Sequence, residues 1–167
     1  MPTDVYLDTS IVLAAIFKGS TNWVASTEFC NRLAAEKRRV HFSGILRLEL
    51  SEAIRKLATK PGRLPADVYG HFQLDQWERN LFVRRRWFEF GLQQFATFLD
   101  GFDRYFELPF RESIWRASVV IMARDQLRSH DAIHVATART YHIPCMATTD
   151  QHFRKITDLD IRLIRDH

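Results

Sequence analysis

Two short apolar runs, each closed by an aspartate, constrain this chain more than any other feature. Val5-Tyr6-Leu7 ends in Asp8, and Cys145-Met146-Ala147-Thr148-Thr149 ends in Asp150. Runs of this length, rich in β-branched, aromatic and small apolar residues, read as buried strands. Between them strand-like runs alternate with helical patterns, which implies a parallel sheet with helices on both faces, an α/β architecture. In such a sheet the carboxyl ends of the strands open on one crevice. Asp8 and Asp150 are therefore expected to meet there.

The intervening chain fills in the pattern. A strand is expected over 4–8, then a helix capped by Ser10 and ended by Gly19. A second helix runs from about Ser20 to Lys37 with Ala25, Phe29 and Leu33 at spacings of four. Arg39-Val40-His41-Phe42 reads as a strand, and Ser43 is placed to cap a helix over about 44–59. On that helix Leu46, Leu50, Ala53 and Leu57 share one face. At ~100° per residue Glu49 lies on the border of that face and Glu52 points away. Leu48 sits opposite the stripe, which suggests burial on more than one side. Pro61-Gly62 and Pro65 then break the chain.

From 66 to 102 two helices are expected, with Phe88, Leu92, Phe95, Leu99 and Phe102 forming a stripe. Nine of the 13 Phe fall between 72 and 110, so this region reads as a helical hairpin packed on the core. A short strand within 102–108 precedes a helix over 111–127, with Ile114, Ala117, Ile121 and Arg124 facing one way. Ser129 is placed to cap a helix over 130–142, which sets Asp131 in the first turn, where the helix dipole favours a negative charge. Pro144 ends that helix, and strands follow at 145–149 and 160–165.

A chain of 167 residues fits a single domain, 1–167, with about 61–110 as a helical insertion. The net charge of +4 and pI near 9.3 suit an anionic partner such as nucleic acid. Cys30 and Cys145 make no metal-ligand spacing, and the expectation is two reduced, buried thiols in a cytoplasmic protein. The apolar run from Ile11 to Phe17 is too short to span a membrane, so no membrane association is expected.

Four acids stand in separate positions: Asp8, Glu49, Asp131 and Asp150. Singly, each has a plainer reading, as a cap, a turn former, a dipole-stabilising residue or a solvated helix charge. Gathered in one crevice, they would repel by roughly 4 kcal/mol per pair at ~4 Å and an effective dielectric of ~20. A divalent cation makes such a cluster tolerable, and oxygen ligands select Mg²⁺ or Mn²⁺.

The segments Val5-Tyr6-Leu7-Asp8-Thr9-Ser10, Leu48-Glu49-Leu50, His130-Asp131-Ala132-Ile133-His134-Val135-Ala136-Thr137-Ala138 and Ala147-Thr148-Thr149-Asp150-Gln151-His152-Phe153 together resemble a PIN domain. The resemblance runs from the first strand to the last and keeps the order of all four acids. It implies a three-layer α/β/α fold with a central parallel sheet of about four or five strands. It implies a Mg²⁺- or Mn²⁺-dependent endoribonuclease that hydrolyses single-stranded RNA, with Asp8, Glu49, Asp131 and Asp150 as catalytic and metal-binding acids and Ser10 and Thr148 as supporting hydroxyls. Many PIN domains are toxins of VapBC toxin–antitoxin pairs, which further implies a cognate antitoxin and a homodimer. This chain departs from the pattern in two places. His152 stands where many relatives have an acid, and the region 61–110 is longer than in compact members.

Two other readings stay open. One is a catalytically inactive PIN scaffold that binds RNA or protein. The other is a zinc hydrolase on His130 and His134, an i, i+4 pair in His-Asp-Ala-Ile-His close to the metalloprotease pattern. In that sequence Asp replaces the base Glu and no third ligand follows nearby; His134 otherwise packs on its helix face. The basic clusters Lys37-Arg38-Arg39, Arg84-Arg85-Arg86 and Arg154-Lys155 are candidates to steer RNA phosphates.

Overall fold

In the computed structural model, which describes residues 2–60 and 64–166, five strands form one sheet. They are β1 (Asp4–Leu7), β2 (Arg39–Ser43), β3 (Tyr105–Leu108), β4 (Cys145–Thr148) and β5 (Asp160–Leu163). All pair in parallel, in the order β3-β2-β1-β4-β5. The chain winds outward from β1 through β2 to β3, then returns to the other side of β1 for β4 and β5. The winding direction thus reverses between β1 and β4, and open α/β sheets hold their ligand crevice at such a reversal. Leu7 is level with Ala147, and the Asp8 N–H donates to the Ala147 carbonyl at 3.1 Å. That register sets Asp8 and the residues after β4 side by side.

Helices cover both faces, giving three layers. They are α1 (Thr9–Ile16), α2 (Trp23–Ala35), α3 (Ile45–Thr59), α4 (Ala66–His71), α5 (Leu81–Asp100), α6 (Glu112–Asp125) and α7 (Ser129–Thr140). Alternate strand residues feed two separate cores, as the period-2 pleat requires. Val5, Leu7, Val40, Phe42, Cys145 and Ala147 pack with side chains of α1, α2, α3 and α5. Tyr6, Leu108 and Met146 pack with α6, α7 and Phe153. Both cysteines are buried thiols, as expected. No helix among the described residues is long and apolar enough to cross a membrane.

Several local expectations are corrected. Ser10 does not cap α1: the cap is Asp8, whose carboxylate accepts the Ser10 N–H. Helix α1 ends at Ile16, before Gly19, and the Ser20 hydroxyl donates to the carbonyls of Ala14 and Phe17. Neither Ser43 nor Ser129 acts as a side-chain cap; Ser43 Oγ is buried without a hydrogen-bond partner among the described residues. On α3 the core positions are Leu46, Leu50, Ile54 and Ala58, and Leu48 projects to solvent at 71% exposure. Arg124 likewise turns outward, paired with Asp125. The break at Pro61-Gly62 lies outside the described residues.

In the Phe-rich region the first helix, α4, has six residues, and the second, α5, has twenty. The buried stripe of α5 is Val83, Trp87, Gly91, Phe95 and Leu99, while Leu92 is half exposed. Close packing of α5 on α3 explains the rotation. Gly91 lets the helices approach, and the Trp87 indole N–H donates to the Ile54 carbonyl at 2.8 Å. A Cβ at Gly91 would lie 2.5 Å from Ile54 Cδ1 and 2.9 Å from its Cγ1. Gly91→Ala should therefore destabilise the fold by about 1–3 kcal/mol despite its better helix propensity. Adding Ile54→Val should recover part of that loss, as read by urea denaturation of the single and double variants.

Candidate metal centre

Asp8 leaves β1 and enters α1 as its cap, which buries the carboxylate among backbone donors. Its Oδ2 accepts the Ser10 N–H at 3.3 Å, the Ser10 hydroxyl at 2.6 Å and the Thr148 hydroxyl at 2.8 Å. Those hydroxyls are themselves oriented. Ser10 Oγ accepts the Thr149 N–H and Thr148 Oγ1 accepts the Asp150 N–H, both at 3.0 Å. Each hydroxyl has one proton, and with these amides filling a lone pair, that proton is free to point at Asp8. The backbone after β4 thus orients the groups that hold Asp8. Oδ1 faces His134 Nε2 at 3.5 Å.

Glu49 reaches the same space from α3, on the half-buried border of its core face. Its Oε2 accepts from the Thr9 hydroxyl and from His134 Nε2, the latter at 2.7 Å. Burial alone would raise its pKa, but the hydrogen bond and charge of His134 and the Thr9 hydroxyl hold it below the ordinary range. His134 is fully buried on α7, and its Nδ1 lies 2.7 Å from the Tyr6 hydroxyl. Burial opposes its cationic form; the Tyr6 oxygen, the bond to Glu49 and the charge of Asp8 act the other way and raise its pKa well above the usual imidazole value. Ligand atoms of Asp8, Glu49 and His134 all lie within 4.8 Å of one another.

Asp131 sits in the first turn of α7 as expected. Burial and the negative charges of Asp8, Asp150 and Glu49 push its pKa from 3.8 up to about 6, so all four acids share one field. Its Oδ2 is buried and has no hydrogen-bond partner among the described residues. Asp150 caps the short turn of helix Gln151–Lys155; its Oδ1 accepts the His152 N–H at 2.9 Å and faces His152 Nδ1 at 2.8 Å.

A pattern runs through the set. Asp8, Glu49 and Asp150 each have one oxygen engaged by protein donors, while Asp131 buries an oxygen that no group among the described residues satisfies. A buried, unpaired carboxylate oxygen beside like charges is costly unless a cation compensates it. The donors present, carboxylate oxygens with hydroxyls behind them, fit Mg²⁺ or Mn²⁺. Sequence reasoning did not assign Tyr6, Thr9 and His134 to this centre. A signal for one was present: Asp131 and His134, three apart on a helix, share a face. The pair His130 and His134 does not stand apart as a zinc site. Both contact Glu49, and His130 does so from the exposed side at 3.4 Å.

Clefts open on two sides of the acids. One of about 550 Å³ is lined by Ser10, Phe17, Asn22 and Thr149, and another of about 340 Å³ by Leu48, Glu49, Lys56 and His130. Of the basic clusters, Arg154 and Lys155 lie in the turn just after Asp150. Lys37, Arg38, Arg39 and Arg85 instead pair with Asp103, Glu36, Asp4 and Glu89.

Comparison with known proteins agrees with this geometry. No curated protein sequence matches the chain. A crystal structure of VapBC2 from Rickettsia felis, bound to a DNA fragment from its promoter, contains a chain of similar fold. The TM-score is 0.60 at 15% identity, covering 96% of this chain and 98% of that one. The profile of the PIN domain matches residues 5–159, a span that runs from within β1 to just before β5 and takes in all four acids. By that match the chain belongs to the PIN domain family, a family of nucleases.

Proposed function

We propose that this protein is a Mg²⁺- or Mn²⁺-dependent endoribonuclease that hydrolyses single-stranded RNA at Asp8, Glu49, Asp131 and Asp150. The observation that carries the reading is the distribution of donors around these acids: each of three has one oxygen held by the protein, and the fourth has a buried oxygen with no hydrogen-bond partner among the described residues. The acids would hold the cation through the oxygens left free, with Ser10 and Thr148 fixing Asp8 from behind. When bound, the cation supplies charge to offset that building on the phosphodiester and favours ionisation of an attacking water. The flanking clefts give a strand room to cross the acids, and Arg154 and Lys155 offer phosphate contacts beside them.

The reading extends to a toxin of a toxin–antitoxin pair, a homodimer in the cytoplasm held inactive by a cognate antitoxin. Its support is the family and the fold shared with a chain of VapBC2. The inactive-scaffold alternative draws no support from a site that retains all four acids. The zinc hydrolase alternative is weakened because Glu49 engages both histidines.

Asp8→Asn should abolish Mn²⁺-dependent cleavage of a single-stranded RNA while leaving the circular dichroism spectrum unchanged; wild-type rates in that variant would end the proposal. If the protein is a toxin, its induction in a bacterial host should arrest growth and Asp8→Asn should not, as followed by optical density. The metal-free protein should also show a pH signature. The folded pKa of Asp131, about 6, lies above its ordinary 3.8, so its contribution to stability is fully present below about pH 4 and lost as pH rises through 6. EDTA-treated Asp131→Asn should lack this loss and melt a few degrees above wild type at pH 7.5, given ~2–4 °C per kcal/mol for a chain of this size. Mn²⁺ at that pH should raise the Tm of wild type and not of Asp131→Asn.

A further inference from the structure

The acids explain the charge at this centre but not why a tyrosine and a histidine, both fully buried, are in line with one of them. We propose that Tyr6 and His134 are positioning residues that hold Glu49 with one oxygen turned toward the shared space of the acids, and thereby set the affinity for a divalent cation. The inference rests on the reading of the acids as a divalent-cation site.

The geometry is a chain of three residues joined by two hydrogen bonds. Tyr6 stands on the central strand, with its ring edge-on to His134 at a centroid distance of 5.7 Å and its hydroxyl 2.7 Å from Nδ1. The opposite ring nitrogen, Nε2, lies 2.7 Å from Glu49 Oε2, with Thr9 Oγ1 at 3.4 Å and Asp8 Oδ1 at 3.5 Å. Surrounded by acceptors, Nε2 carries the proton. A tyrosine hydroxyl both donates and accepts, so it satisfies Nδ1 whether that atom is bare or protonated. The hydrogen bond to Glu49 is therefore present in the neutral and the cationic imidazole alike, and the role does not depend on the charge of His134.

The effect on Glu49 follows. A glutamate on a helix border has several rotamers, and ordering it opposes any function that needs one. His134 and the Thr9 hydroxyl both hold Oε2, while among the described residues Oε1 meets His130 Nδ1 at 3.4 Å, from the exposed side. The imidazole cannot itself be a free ligand in this arrangement, because the lone pair a cation would need is occupied by the proton given to Glu49. Groups that orient a ligand from behind in this way commonly change metal affinity by about 10–100-fold when removed.

Titrating purified wild type, Tyr6→Phe, His134→Gln and His134→Leu with Mn²⁺ by electron paramagnetic resonance tests the proposal. Tyr6→Phe and His134→Leu should bind Mn²⁺ about 10–100-fold more weakly. His134→Gln, whose amide N–H can still reach Glu49, should stay nearer to wild type than His134→Leu. Spin-echo spectra of the Mn²⁺-loaded wild type should show no directly bonded nitrogen. Wild-type affinity in a folded Tyr6→Phe, or a nitrogen bonded to Mn²⁺, would overturn the proposal. Should His134→Leu fail to fold, Tyr6→Phe, which removes one atom, decides the matter. No RNA enters the measurement, so a wild type that binds Mn²⁺ yet cleaves nothing counts against the nuclease reading alone. A wild type without Mn²⁺ affinity overturns both.

Discussion

Mutual repulsion among four carboxylates is the constraint around which the rest of this structure is arranged. At an effective dielectric of ~20 and ~4 Å, each close pair would cost roughly 4 kcal/mol, which is comparable to the whole stability of a marginal domain. The chain offsets this by surrounding the acids with donors from elements far apart in sequence. Asp8 is held by hydroxyls from the start of α1 and the end of β4, Glu49 by Thr9 and by His134 of α7, and Asp150 by the turn that follows it. Asp131 is the exception. It has no such donor on its buried oxygen among the described residues, and its pKa is raised by burial first and then by the negative charges of Asp8, Asp150 and Glu49.

The sheet supplies the geometry that makes the gathering possible. Because the winding reverses between β1 and β4, the two strands that lead into Asp8 and Asp150 are neighbours in the sheet, although 142 positions of chain separate the two aspartates. The two core layers then hold α3 on one face and α7 on the other, so that Glu49 and Asp131 approach the strand ends from opposite sides. Membership of the PIN family matches this layout, and the likeness to a VapBC2 chain at 15% identity shows that the backbone arrangement survives very different side chains. Histidines and a tyrosine surround the acids: His152 faces Asp150, His130 lies beside Glu49, and the buried pair of Tyr6 and His134 stands behind it.

Local pattern made much of this legible. The strand cores, the placement of Asp131 in a first helical turn, the half-burial of Glu49 against the exposure of Glu52, and the parallel α/β architecture all follow from periodicity and end signals acting within one element. Errors arose where a neighbour decides. Leu92 fits a helical stripe on paper and Leu48 suggests a second buried side of its helix, but Ile54 and Gly91 mark the true contact between α3 and α5, and both leucines are exposed. Ser10 carries the right residue type for a cap, yet the stronger acceptor two residues earlier takes the amide and the hydroxyl becomes a donor to it.

The sequence by itself therefore determined the class of fold, the order of its elements and the four acids that belong together, because these depend on side-chain type and spacing along the chain. Tertiary structure alone decided which oxygen of each acid is engaged, that Asp131 is left without a donor, and that Tyr6 and His134 stand behind Glu49. Those outcomes depend on distances of a few ångströms between segments 40 to 140 residues apart, and no periodicity within a single segment encodes them.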